Sequence, residues 1–123
     1  MVRKKILYIE DHPASLFLVE NLLEKKGYQV LGSLNGRQGI KRATEERPDL
    51  ILVDMVMADM DGFEILSELQ KNTELQLIPK VAISAQTLNK ENEKCLRAGF
   101  NGFIKKPINV NTFENQLNSF FVY

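Results

Sequence analysis

Acidic, hydroxyl and basic side chains follow four apolar runs of the sequence, and together they suit metal-assisted group transfer. Glu10 and Asp11 come directly after the first run, and Asp54 ends another. Ser84 follows a third run, and Lys105-Lys106-Pro107 follows the fourth. If the three carboxylates converge, each pair repels by roughly 4 kcal/mol at about 4 Å and an effective dielectric constant near 20. A cation must then neutralise them.

The ligand types favour Mg²⁺, a hard cation that takes one or two carboxylates, several waters and a phosphate oxygen. A nearby lysine offsets the negative charge that remains on an incoming phosphoryl group. A carboxylate already in place can act as the nucleophile and form an acyl phosphate. The residue types therefore predict phosphoryl transfer to an aspartate.

Taken singly, each of these acids is more often a helix cap than a catalytic group. Glu10 and Asp11 precede a predicted helix, and Asp61 is expected to cap another. Asp54 is harder to explain in this way, because it ends the most apolar run, residues 50–53. An unpaired carboxylate near the buried centre of a sheet is costly. The combination of residues, and no one of them alone, predicts a site.

The elements that must position these residues alternate between strand and helix. Apolar runs typical of strands are 5–9, 28–31, 50–53, 79–83 and 102–104. Two predicted helices end at a glycine: residues 14–26 before Gly27, and residues 88–98 before Gly99. Two others begin at a cap, one at Asn35 that ends at residue 46 because of Pro48, and one at Asp61. The last predicted helix has one apolar stripe, formed by Val110, Phe113, Leu117 and Phe120. This alternation predicts a doubly wound α/β fold with a five-stranded parallel sheet and five helices. Ligands of such folds bind at the carboxyl ends of the strands, where the polar residues lie.

Composition limits the classes of function. The chain has 123 residues, 44% of them hydrophobic, which suits a single folded domain over residues 1–123. Lys plus Arg and Asp plus Glu number 16 each, so no net charge attracts nucleic acid or an anionic membrane. The longest clean apolar run is far shorter than the roughly 20 residues that a membrane span needs. With Cys95 as the single cysteine, we expect a soluble protein of the cytoplasm.

The sequence resembles the receiver domain of response regulators in two-component signalling over essentially its whole length. The matching segments are Glu10-Asp11, residues 50–57 followed by Asp61-Gly62, residues 81–85, and residues 102–107. The resemblance implies a single-domain receiver of the flavodoxin-like type, with strand order 2-1-3-4-5. It also implies a role for each matching residue.

By this resemblance, Asp54 is the phosphoacceptor and, with Glu10 and Asp11, a ligand of Mg²⁺, for which Mn²⁺ can substitute. The backbone carbonyl of Val56 is a further metal ligand. Lys106 contacts the phosphoryl oxygens.

The resemblance also implies a switch. Ser84 is the hydroxyl that meets the phosphoryl group, and Phe103 is the aromatic residue that turns inward when the hydroxyl moves. The peptide bond between Lys106 and Pro107 is expected to be cis, an uncommon geometry.

The resemblance implies partners as well. The donor is a histidine kinase or a histidine-containing phosphotransfer protein. The receiver promotes its own phosphorylation and dephosphorylation but has no turnover substrate. Its target is expected to be a protein bound by the face of the fourth helix, fifth strand and fifth helix. No DNA-binding segment follows Tyr123, so we expect a protein contact unless the chain was excised from something larger. With no net charge, direct contact to nucleic acid or membrane is not expected.

The sequence departs from the family pattern beside the phosphoacceptor. Ala58 replaces a usual proline, so we expect a looser loop after Asp54. Val56 and Gln86 occupy positions whose side chains, in the family, influence the water that attacks the acyl phosphate during dephosphorylation. Because valine offers water no hydrogen bond, we predict moderate to slow self-dephosphorylation.

Three rival functions share parts of this pattern. A flavin or dinucleotide carrier needs a phosphate cradle after strand one, where this chain has Glu-Asp-His-Pro at 10–13. A metal-dependent phosphohydrolase with an aspartate nucleophile would turn over a phosphate ester catalytically. A binding module that has lost phosphorylation is the third alternative.

His12 is expected to be a loop residue rather than a metal ligand, and Cys95 a packing residue.

Overall fold

The computed structural model describes residues 3–85 and 89–121 of the chain. These residues contain five strands, which are β1 Lys5–Ile9, β2 Gln29–Ser33, β3 Leu50–Asp54, β4 Lys80–Ser84 and β5 Gly102–Lys105. All pairings are parallel, and the strand order is β2-β1-β3-β4-β5. The predicted fold class and strand order are confirmed.

Five α-helices connect the described strands or follow them: α1 Pro13–Glu24, α2 Gly36–Glu46, α3 Gly62–Gln70, α4 Asn89–Ala98 and α5 Phe113–Asn118. A 3₁₀ helix, Thr73–Leu75, precedes β4 and was not predicted. The predicted N-caps are confirmed, because Asn35 Oδ1 accepts a bond of 2.8 Å from Gln38 N and Asp61 Oδ1 one of 2.9 Å from Glu64 N. The predicted start of α4 at Leu88 lies outside the described residues.

Apolar side chains cover both faces of the sheet. One core cluster, which includes Ile6, Leu52 and Phe113, lies on the α1 and α5 side. The other, which includes Leu7, Val53 and Leu66, lies on the α2, α3 and α4 side. Strands that are buried on both faces have continuous apolar sequences, and all five residues of β3 are buried.

The apolar stripe predicted for the last helix is only partly correct. Phe113 and Leu117 are fully buried, and Phe120 packs against the same cluster. The prediction for Val110 is wrong, since its side chain is 46% exposed. The reason is that α5 begins only at Phe113, so Val110 lies before the helix and does not share its stripe.

A buried lysine begins β4, at the opposite end of the sheet from the predicted site. Lys80 is 3% exposed, and its ammonium donates to the backbone carbonyls of Leu75, Gln76 and Ile78. Burial lowers the pKa of Lys80. The lysine therefore binds backbone carbonyls at the end of the 3₁₀ helix and in the turn that follows it.

No helix in residues 3–85 and 89–121 is both long and apolar enough to cross a membrane.

Strand register aligns the polar residues along one edge of the sheet. Ile9 pairs with Val53, so Glu10 follows β1 at the level of Asp54. Asp54 pairs with Ile83, which places Ser84 one position further along β4. The register therefore brings residues that are far apart in sequence to one place.

Candidate functional site

Three carboxylates converge at the carboxyl ends of β1 and β3. Glu10, Asp11 and Asp54 each offer an oxygen, and these atoms lie within 4.8 Å of one another. Glu10 is fully buried and Asp54 is 5% exposed, while Asp11 is half-buried at the rim. Strand β3 lies between β1 and β4, which is why Asp54 is at the centre of this edge.

The lysine after β5 completes the cluster. Lys106 Nζ lies 2.8 Å from Glu10 Oε1 and 2.8 Å from Asp54 Oδ2. Its backbone N–H donates to Ser84 O at 2.8 Å, and the peptide bond between Lys106 and Pro107 is cis. The neighbouring Lys105 is exposed. Of the two lysines, Lys106 is therefore the one at the site.

Burial and mutual contact shift the pKa values of these groups. Burial raises the pKa of Glu10, and hydrogen bonding to Asp54 raises it further, against the opposing effect of Lys106. Burial alone would raise the pKa of Asp54, but hydrogen bonds with Glu10, Lys106 and the Val56 N–H lower it below its ordinary value. Burial opposes the charge of Lys106, yet the hydrogen bonds to both carboxylates raise its pKa. The cluster thus keeps Asp54 ionised and Lys106 positively charged.

Asp54 faces a cleft of about 430 Å³ that Asp11, Val56, Ala58 and Lys106 also line. Oδ1 of Asp54 accepts a hydrogen bond of 3.0 Å from Val56 N. The Val56 side chain is 71% exposed, at the mouth of the cleft. An incoming group can therefore reach the carboxylate from solvent.

The residues of the cluster fit a hard divalent cation. Glu10 Oε2 is buried and has no hydrogen-bond partner among the described residues. A cation would supply a positive partner for this oxygen and would balance three acids that face a single lysine. The donors are all oxygens, which suits Mg²⁺ better than softer metals. The assignment of the Val56 carbonyl as a ligand stays a prediction.

The two predicted switch residues share a second cavity. Ser84 and Phe103 line a space of about 240 Å³ between the loop after β3 and helix α4, together with Val56 and Cys95. Phe103 is 36% exposed, and Ser84 is half-buried. Cys95 is 4% exposed, in agreement with a packing role. Gln86 lies outside the described residues.

Several contacts at the site were not predicted. Tyr8 OH donates to Glu10 Oε1 at 3.3 Å, and Ala58 N donates to Asp11 Oδ2 at 3.0 Å. A proline at position 58 has no N–H to donate, so alanine adds a contact that our expectation of a looser loop did not include. His12 is exposed and makes no side-chain cap to α1. The alternation of a strand was a usable signal for Tyr8, two residues before Glu10, whereas the Ala58 contact depends on loop geometry.

Asp59, in the same loop, was also missed. Its carboxylate accepts from Gly36 N at 2.9 Å and from Arg37 N at 3.3 Å, at the N-terminus of α2. These backbone hydrogen bonds outweigh the effect of burial and lower the pKa of Asp59. The loop after β3 therefore contacts both the acidic cluster and a neighbouring helix.

The sequence is similar to one family of known proteins. The family model described as the response regulator receiver domain matches residues 6–118. Polar-differentiation response regulator DivK of Brucella anthropi is 32% identical over 117 residues, which cover 95% of each chain. Protein PilH of Pseudomonas aeruginosa is 30% identical over 115 residues, which cover 94% of this chain and 95% of that protein.

Solved structures of response regulators and receiver domains are also similar to this chain. Chemotaxis response regulator CheY4 of Vibrio cholerae has a TM-score of 0.93 at 24% identity, covers 98% of this chain and 100% of its own, and shows a shared fold. The receiver domain of sensor histidine kinase PA1611 from Pseudomonas aeruginosa has a TM-score of 0.87 at 28% identity, with 97% and 98% of the two chains covered. That structure has a magnesium ion coordinated in its active site cleft.

Proposed function

The chain belongs to the response regulator receiver domain family, and we propose that Asp54 is its phosphoacceptor, with a phosphohistidine as the donor. The family is a class of phosphorylation-dependent signalling switches rather than of turnover enzymes. The observation that supports Asp54 is its position, at the buried end of the central strand, next to two further acids and a lysine. We assign the receiver to residues 1–123 as one domain.

Asp54 is prepared to act as a nucleophile. Its lowered pKa keeps the carboxylate ionised, and its two oxygens accept from Val56 N and Lys106 Nζ. A carboxylate oxygen attacks phosphorus, the phosphorus–nitrogen bond of the donor breaks, and the leaving imidazole nitrogen keeps the electron pair and takes up a proton from solvent. The product is an acyl phosphate on Asp54.

Charge balance determines the other roles. Glu10, Asp11 and Asp54 would hold Mg²⁺, with the Val56 carbonyl as a further ligand, and Mn²⁺ would substitute for it. The bound ion supplies electrostatic stabilisation of the transferring phosphoryl oxygens. Lys106 is already at the carboxylate that receives the phosphoryl group, so its ammonium needs little reorganisation to contact the new oxygens.

The signal is carried by the cavity that Ser84 and Phe103 share. Ser84 ends β4, one residue beyond Ile83, which pairs with Asp54. A phosphoryl group on Asp54 attracts the Ser84 hydroxyl, and the movement opens space that the Phe103 ring enters. The cavity that both residues line adjoins α4, and we assign the face of α4, β5 and α5 to the protein target.

The remaining partners follow from the donor chemistry. The phosphohistidine belongs to a histidine kinase or a histidine-containing phosphotransfer protein, and the receiver catalyses its own phosphorylation and dephosphorylation. We assign the protein to the cytoplasm, without direct contact to nucleic acid or membrane. The equal numbers of acidic and basic residues support the absence of direct contact to nucleic acid or an anionic membrane, since no overall field attracts a polyanion.

A small phosphodonor tests the proposal. The purified chain is incubated with acetyl phosphate and Mg²⁺, and intact mass with peptide mapping is measured for the parent, Asp54→Asn and Asp61→Asn. Asp61 caps α3 and serves as the matched control. We expect one added phosphoryl group on the parent and on Asp61→Asn, and none on Asp54→Asn. Equal labelling of Asp54→Asn, or catalytic release of phosphate from a chromogenic ester, would contradict the proposal.

A further inference from the structure

Tyr8 places a phenol hydroxyl in the floor of the acidic cluster. The residue lies on β1 and is fully buried. Side chains two residues apart on a strand share a face, so Tyr8 points to the same side as Glu10. Its hydroxyl lies 3.3 Å from Glu10 Oε1.

The hydroxyl would be unfavourable here without this partner. The Tyr8 ring packs in the apolar cluster on the α1 and α5 side, among residues such as Ile6 and Leu52. A phenylalanine would bury the same ring without a polar atom to satisfy, and buried hydroxyls are costly unless they are hydrogen-bonded. A phenol keeps its proton at neutral pH, so the Tyr8 hydroxyl acts as the donor in its contact with Glu10.

Two donors act on one oxygen of Glu10. Oε1 accepts from Tyr8 OH and, at 2.8 Å, from Lys106 Nζ. Oε2 is buried and has no partner among the residues that the structure describes. The donors thus fix which of the two carboxylate oxygens is occupied and which stays available.

We propose that Tyr8 is a positioning residue of the cation site, whose hydroxyl, with Lys106, orients Glu10 so that Oε2 is left for the divalent cation. Tyr8 acts through Glu10 and does not contact the transferred group. The inference rests on the proposed function, because it takes the acidic cluster to be a magnesium site.

Removal of the Tyr8 hydroxyl should weaken Mg²⁺ binding, and it should lower the phosphorylation rate only where Mg²⁺ is not saturating. Tyr8→Phe keeps the ring and loses the donor, so that of the two described donors to Glu10 Oε1 the ammonium of Lys106 remains. We expect Mg²⁺ to bind about three- to tenfold more weakly, the scale of one lost hydrogen bond. At low Mg²⁺, the variant should be phosphorylated by acetyl phosphate more slowly than the parent. At saturating Mg²⁺, its rate should return close to that of the parent. A purely structural role would lower the rate at all Mg²⁺ concentrations.

The experiment measures cation affinity directly on the full chain by calorimetric titration with Mg²⁺ and by Mn²⁺ paramagnetic resonance. The variants are Tyr8→Phe and the control Tyr28→Phe, whose hydroxyl bonds Asn118 Oδ1 at 2.9 Å. We expect Tyr28→Phe to bind as the parent does. If the parent binds and Tyr8→Phe binds equally well, the inference on Tyr8 fails. If the parent itself does not bind, the proposed function fails.

A double-mutant cycle tests the route through Glu10. In a Glu10→Gln background, the further change Tyr8→Phe should alter Mn²⁺ affinity by less than twofold, because the residue it orients has changed. An undiminished effect in that background would overturn the inference.

A measurement on the parent needs no variant: the Tyr8 hydroxyl proton should be protected from exchange in NMR spectra and should shift during the Mg²⁺ titration. A hydroxyl signal that does not respond to Mg²⁺ would contradict the proposed position.

Discussion

The ammonium of Lys106 lies 2.8 Å from Oδ2 of Asp54, a contact that joins the ends of β5 and β3 across the intervening strand β4. The same ammonium contacts Glu10 at the end of β1. One side chain therefore links three strand ends and compensates two buried carboxylates. The charge balance of the cluster therefore depends on this lysine.

Substitution of Lys106 tests this dependence. Lys106→Met leaves Glu10 and Asp54 without a positive partner, so we expect the free energy of unfolding at neutral pH to fall by about 1–3 kcal/mol. Mg²⁺ should restore part of the loss, because a cation replaces the ammonium. Urea denaturation with and without Mg²⁺ measures both effects. Lys105→Met, at the exposed neighbour, is the control, and an equal loss in that variant would contradict the prediction.

The Phe103 ring offers a test of the switch. The chain contains no tryptophan, so Phe103→Trp introduces a single tryptophan, whose emission can be excited selectively. Phe103 is 36% exposed, and we expect the emission to shift to shorter wavelength on phosphorylation as the ring becomes buried. Phe17→Trp, at a 69% exposed position on α1, should not shift. An unchanged spectrum of the phosphorylated Phe103→Trp protein would show that this ring does not turn inward.

The lifetime of the acyl phosphate should reflect Val56. Its side chain is 71% exposed at the mouth of the cleft and offers no hydrogen bond to an attacking water. We expect the parent to lose its phosphoryl group over minutes or longer, and Val56→Asn to lose it several-fold faster, because an amide can orient water. Phosphate release after removal of the donor measures both rates. Decay of the parent within seconds would refute the prediction.

Lys80 should affect stability in the alkaline range. Burial lowers its pKa in the folded chain, so the unfolded chain holds more protons on this lysine at alkaline pH, and stability rises with pH there. We expect the parent to gain stability relative to Lys80→Met as the pH rises through the alkaline range toward the ordinary lysine pKa of about 10.4. Urea denaturation across this range measures the difference. Lys71→Met, at an exposed position, should show a constant difference from the parent, and the same constancy in Lys80→Met would contradict the prediction.

The sequence predicted the sheet well because its strands are buried on both faces. The continuous run before Asp54 identified β3, and Gly27 and Gly99 marked helix ends, where both adopt positive φ. β2 was predicted to end at residue 31 but extends to Ser33, because its last residues pair with β1. Pairing with a neighbouring strand, rather than local propensity, decides such an end.

The convergence of Glu10, Asp11 and Asp54 with a lysine after the fifth strand was predictable from strand ends alone. The choice of Lys106 over Lys105 came from the family resemblance and agrees with the geometry. The contact of Tyr8 was not predicted, although strand alternation places its side chain on the same face as Glu10. The contact of Ala58 depends on the path of a loop, which no local pattern of residues encodes.

The loop after β3 is anchored at three successive places. Val56 N contacts Asp54, Ala58 N contacts Asp11, and the Asp59 carboxylate holds the start of α2. The connection therefore acts as a spacer of fixed length, in which an insertion or deletion of even one residue between Val56 and Asp59 must break at least one anchor. Surface loops usually tolerate insertions and deletions, but this segment should not.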